Sequence, residues 1–229
     1  MESIHERELW QWDLYKSYGE FNFFFEDTVQ EFKSLLISLV RISYNYFDDE
    51  DDDGQELSDE EQNRLLKIMM NNMGAMDVVK NCQACFIDYF SQQRNKLGKF
   101  SFNFFDEVRT LSEQSYNFAL AVFKKSIELI ELRNVIIHSH YGESLIPGIL
   151  HTGKLKGQKD VKSAKGYEKR QFTYDIDFFA RINQNILDLF GFVHIIGYNL
   201  WEEQNHSIDY KDELANLKGM SFSVVKPNP

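Results

Sequence analysis

The sequence predicts an all-α fold, a helical bundle of four to five long helices with a basic loop or small hairpin inserted before the last long helix. Three observations carry that expectation. There are only 3 prolines and two of them, Pro227 and Pro229, sit at the very end, so few forced breaks interrupt the chain. Apolar residues recur at helical spacing through several long stretches. Hydrophobic residues make up 43% of the chain and aromatics 15%, enough to fill a sizeable core.

The elements follow in order. A first helix is expected over about residues 24–46, with Val29, Phe32, Leu36, Leu39, Val40 and Ser43 on one face. The acidic run Asp48-Asp49-Glu50-Asp51-Asp52-Asp53 and Gly54 end it. Residues 48–57 read as a solvated loop, because the ligand spacing of a calcium-binding EF-hand is not met. Ser58 and Glu61 have the spacing of a capping box and open a second helical region, about 59–96, with a kink near Gly74 and a stop at Gly98. A third helix is expected over about 105–140, where Val108, Leu111, Tyr116, Ala119, Val122, Phe123, Ile127, Ile130 and Val135 supply a broad apolar face. Gly142 and Pro147-Gly148 stop it.

Residues 149–174 change character. Lys154, Lys156, Lys159, Lys162, Lys165, Lys169 and Arg170 are set against only Asp160 and Glu168, and glycines punctuate the segment at 153, 157 and 166. This is the basic loop or hairpin. The last long helix is expected over 177–203, with Phe179, Ile182, Ile186, Leu189, Phe190, Val193 and Ile196 inward. Gly191 and Gly197 are expected to admit a closely packed neighbour. Residues 1–220 then form a single helical domain and 221–229 a flexible tail.

The net charge of -11 argues against broad, non-specific nucleic-acid binding, so any such contact has to use a local patch. The first residues, Met1-Glu2-Ser3-Ile4-His5-Glu6, are charged and lack the apolar run of a signal peptide. The most apolar stretch, 186–201, is interrupted by Asp188, His194 and Asn199 and is too short to span a bilayer. The expectation is a cytoplasmic protein with no membrane partner. Cys82 and Cys85 cannot build a disulfide framework. With no second Cys pair, they read as buried helix-face cysteines rather than half a metal site. His194, within an apolar helix, reads as a satisfied core histidine. A His138, His140 and His151 metal cluster lacks the HExxH spacing, so no metal and no cofactor are expected.

One segment has the makings of chemistry: Arg133-Asn134-Val135-Ile136-Ile137-His138, near the end of the third helix. Arg133 and His138 lie about 140° apart around a helix axis, while Asn134 and His138, four apart, share a face. A histidine with a pKa near neutrality can take the proton of an RNA 2'-hydroxyl or give one to the leaving oxygen. A guanidinium can grip the phosphate, and an asparagine can orient either partner. No metal is needed. Plainer roles stay open. Arg133 can pair with Glu128, Glu131 or another surface acid, and His138 can be a cation favoured by the helix C-terminus.

The segment resembles the signature of the HEPN superfamily: Arg, four to six residues, then His, often with Asn directly after the Arg. The setting is similar too, since the motif ends a long helix and is followed by a loop and a final helix. The resemblance implies a metal-independent endoribonuclease of a toxin-antitoxin, abortive-infection or antiviral defence system. Arg133, Asn134 and His138 would form the site, with His140 and Tyr141 nearby. It also implies a homodimer whose two motifs face one cleft, an RNA substrate, and a cognate antitoxin or nucleotidyltransferase as possible partner. A non-catalytic HEPN-like module that binds a nucleotide, RNA or a partner protein is the alternative. One branch of the family has Tyr two residues after the His; here His140 holds that place. The seven cations of the basic segment would guide RNA.

Overall fold

A computed structural model describes residues 4–44, 64, 68–91, 100–104, 107–138, 154–163, 166–201 and 210–222. The elements are α1 (Ile4–Tyr44), α2 (Ala75–Ser91), β1 (Phe100–Phe104), β2 (Glu107–Leu111), α3 (Glu113–Ile137), β3 (Lys154–Ser163), β4 (Gly166–Asp175), α4 (Ile176–Trp201) and α5 (Tyr210–Gly219). Helix dominates, as expected, and the strands form two separate antiparallel hairpins, β1-β2 and β3-β4. The chain divides into two compact units. The first comprises Met1–Glu26, Glu128–Asp188 and Ser221–Pro229; the second comprises Asp27–Ile127 and Leu189–Met220.

The first unit buries Leu14, Phe21 and Phe25 of α1, Leu129, Leu132 and Ile136 of α3, and Phe178, Phe179 and Ile182 of α4. Phe179 is its aromatic centre, with Tyr18 set edge-on at 5.7 Å and Phe21 at 6.0 Å, the offset geometry that ring quadrupoles favour. Asn183 is buried and donates from Nδ2 to the carbonyl of Ser17 at 3.0 Å, tying α4 to α1. The β3-β4 ribbon leads straight into α4. Asp175 closes the ribbon and caps the helix, accepting the backbone N–H of Phe178 at 2.9 Å.

The second unit is built on another aromatic cluster. Phe86 of α2 is fully buried, with Phe90 at 4.6 Å, Tyr116 at 5.4 Å and Phe123 at 5.6 Å between ring centres. Val29, Phe32, Leu36 and Leu39 of α1 are buried in this unit, as are Val193 and Ile196 of α4. Helix α3 starts where Ser112 Oγ accepts the backbone N–H of Ser115 at 3.0 Å.

Several expectations need correction. Helix α1 begins twenty residues before the expected start at Phe24, because Leu14, Phe21 and Phe25 continue its buried stripe. Rather than kinking at Gly74, the chain leaves the helix at a turn around Asn72 and re-enters at Ala75, with Val78 N–H donating to the Gly74 carbonyl at 3.0 Å. The third helix starts at Glu113, not at 105; Val108 and Leu111 belong to strand β2, whose ladder pairs Phe100 with Leu111 and Phe102 with Arg109. Gly191 and Gly197 have no close neighbour among the described residues, since a Cβ at either would meet nothing within 4 Å. Helix α5 was not foreseen. The chain after Gly219 is seated as far as Phe222: Met220 and Phe222 are buried and Lys125 Nζ donates to the Met220 carbonyl at 2.9 Å. The acidic loop 48–57, the Ser58–Glu61 capping box and residues 223–229 lie outside the described residues.

Candidate nucleic-acid site at the end of helix α3

Burial of Leu132 and Ile136, one turn apart, fixes the rotation of the last turns of α3 and so decides where the intervening polar residues point. Arg133 meets α1. Its guanidinium carbon lies 5.2 Å from the centre of the Phe25 ring, and Nη2 stands 3.8 Å from Glu26 Oε1. The pairing acid is thus Glu26, not Glu128 or Glu131. At that distance, with the Glu26 side chain 60% exposed, the ion pair is weak. Arg133 Nε is buried without a hydrogen-bond partner among the described residues, and contact with the Phe25 ring face is its compensation.

Asn134 is held through its backbone. Its carbonyl accepts the N–H of His138 at 3.2 Å and the ammonium of Lys159 at 2.9 Å. The lysine uses the second lone pair of that carbonyl, and the partial negative charge of the helix end favours its ammonium. His138, in the final turn, is exposed. Arg133 is therefore half-buried against α1 while His138 is open to solvent, and no hydrogen bond joins them among the described residues. His140, Tyr141 and His151 lie outside the described residues.

The basic segment is the antiparallel ribbon β3-β4, paired over ten rungs from Lys154↔Asp175 to Ser163↔Gly166. The pleat sorts its residues. Gly157 and Tyr174 are buried, whereas Asp160, Tyr167, Lys169 and Gln171 are exposed. Lys159, one of the cations expected to contact RNA, donates to the Asn134 carbonyl. Its rung partner in the register is Arg170. Lys154, Lys156 and Lys162 take the rungs opposite Asp175, Thr173 and Tyr167; Lys165 lies outside the described residues. Phe25, Glu26 and Tyr167 are the residues that sequence reasoning missed. The first two meet Arg133 only through tertiary packing across more than 100 residues of chain, and an isolated tyrosine at a ribbon tip gives no periodic signal.

Cys82 is buried and donates from Sγ to the Phe32 carbonyl at 3.2 Å, and burial pushes its thiol well above the ordinary value. Cys85 is partly exposed, raised first by burial and then by the charge of Asp88. Both are free thiols. His194 is not a core residue: it is exposed on α4, with Nδ1 3.0 Å from Glu31 Oε1. Phe192, Val193 and Ile196 occupy the buried stripe and leave position 194 outside it. Among the described residues, no group of three or more His, Cys, Asp or Glu could hold a metal ion, and no helix is long and apolar enough to cross a membrane. No family model, curated protein or solved structure matches the chain.

Proposed function

We propose that the chain is a metal-independent endoribonuclease of a toxin-antitoxin or antiviral defence system, with Arg133, Asn134 and His138 as its site. One observation carries the reading: the 2.9 Å bond from Lys159 Nζ to the Asn134 carbonyl joins the basic ribbon to the helix end that bears the Arg-Asn-x3-His segment. The bond supports the reading because it holds one cation of the ribbon at the turn of α3 that carries the segment, within one compact unit.

The chemistry is transesterification. His138 takes the proton of a 2'-hydroxyl, the 2' oxygen attacks phosphorus, and the bond to the 5' oxygen breaks. The departing oxygen takes its proton from water or from the imidazolium of a second copy, leaving a 2',3'-cyclic phosphate. Arg133 holds a non-bridging oxygen through its Nη groups, exchanging the loose Glu26 contact for a charge-assisted bond. Two copies place two such segments in one cleft, and a cognate antitoxin or nucleotidyltransferase silences them.

In the test, purified protein cuts a 5'-labelled RNA in EDTA. His138→Ala lowers the rate by about 10²–10⁴-fold, the usual worth of one acid-base group. His138 is exposed, so its removal leaves the melting temperature unchanged. Undiminished cutting by that variant overturns the assignment. The seat of Arg133 on Phe25 favours a second reading, a non-catalytic HEPN-like module binding a nucleotide, RNA or partner protein. In that case ligands raise the melting temperature and no condition yields cleavage.

A further inference from the structure

The ribbon's exposed side combines an aromatic ring with positive charge. Tyr167 is 78% exposed, more than any other large hydrophobic side chain among the described residues, and it stands near the ribbon tip, opposite Lys162 in the register. Lys169 and Gln171 follow it on β4 at the two-residue interval that keeps residues on one side of a strand, and both are exposed. Lys162, Lys156 and Lys154 take the opposing rungs of the same parity. The acids in this set are Asp160, on the rung of Lys169, and Asp175, which is engaged as the cap of α4. Lys159 and Arg170 belong to the opposite parity, the one that includes buried Tyr174 and Gly157.

An exposed phenol ring offers a flat face on which a base can stack. An unstacked base can cover that face, and exposed Lys169, two residues on along the same side of β4, supplies a cation for the phosphate backbone. A duplex keeps its bases stacked inside and offers this ring nothing. We propose that the outer side of the β3-β4 ribbon binds single-stranded RNA, with Tyr167 stacking on a base and Lys169 contacting the backbone. This rests on the nucleic-acid reading of the ribbon, not on catalysis by His138.

The experiment measures binding of the full chain to a fluorescein-labelled 12-nucleotide oligouridine carrying 2'-O-methyl groups, which the proposed reaction cannot cleave. A duplex of the same length and chemistry is the comparison. The single strand binds more tightly. Tyr167→Ala weakens it about 10-fold or more, in line with one stacked base, while Tyr167→Phe binds like wild type. Lys169→Gln weakens binding and lowers the salt slope by about one. Wild-type affinity in Tyr167→Ala, preference for the duplex, or no binding of the single strand each overturns the proposal. Tyr167-dependent binding without cleavage of ordinary RNA sinks only the nuclease reading; cleavage with Tyr167-independent binding sinks only this one.

Discussion

Arg133 and His138 make different physical demands on the fold. The Arg133 side chain is 27% exposed and lies on Phe25, so truncating it uncovers the ring and strands Glu26. Arg133→Ala is therefore expected to lower urea-unfolding stability by about 1 kcal/mol, a sum of lost cation–π contact and lost packing. His138→Ala is expected to leave it unchanged. Equal effects of the two substitutions would show that the contrast in their surroundings is false. Cys82 adds a pH dependence. Unfolded thiols ionise near about 8.5, whereas burial keeps Cys82 protonated to higher pH, so the unfolded chain loses its proton first. Stability from the neutral thiol is whole below that value and falls as pH rises toward the folded-state value. Comparison of wild type with Cys82→Ala between pH 8 and 10 isolates this term, and parallel curves would remove it. The candidate site was legible as a residue pattern, since Arg133, Asn134 and His138 fall within six consecutive residues. Its surroundings were not, because Phe25 and Lys159 are remote along the chain and come near only through tertiary packing.

Elements differ in how openly the sequence declares them. Helix α4 was legible almost to its ends because Ile182, Ile186, Leu189, Val193 and Ile196 repeat at three- and four-residue intervals against a polar opposite side. The first half of α1 was hidden. Trp12, Tyr15 and Phe23 are exposed while Leu14, Phe21 and Phe25 are buried, so aromatics occupy both faces and blur the period. The β1-β2 hairpin was misread because Val108 and Leu111 are three apart and continue smoothly into the apolar spacing of α3, although Phe-Ser-Phe-Asn-Phe alternates as a strand does. Helix α4 also carries a defect. Gly191 and Gly197 lie mid-helix with open space where a Cβ would project, so glycine there costs backbone entropy and returns no packing. Gly191→Ala is expected to raise stability by about 0.5–1 kcal/mol, read as a higher urea midpoint with unchanged slope. A loss of stability would mean that a neighbour does approach that position. Phe86→Ala marks the opposite extreme. Its ring is fully buried against three others, so a loss of about 3–5 kcal/mol is expected, and less than 1 kcal/mol would mean that the cluster can collapse around the gap.

At the scale of the molecule, charge sets two proposed associations against each other. Each chain carries a net -11, so bringing two copies together works against long-range repulsion. Salt screens that repulsion, with a Debye length of about 10 Å at 0.1 M, and leaves apolar contact intact. RNA binding through the ribbon responds the other way. Its strength comes from lysines displacing condensed counterions, and added salt weakens it in a near-linear logarithmic fashion. Raising sodium chloride from 0.05 to 0.3 M is therefore expected to shift the light-scattering mass from the 27.1 kDa chain toward twice that value, while affinity for single-stranded RNA falls. If cleavage needs two segments in one cleft, its rate at fixed RNA passes through a maximum between these limits, where enough dimer has formed and enough RNA is still held. A monomer at every salt concentration that still cuts RNA would remove the shared cleft and leave each His138 acting alone. A rate that only falls with salt would show that assembly is complete before the titration begins.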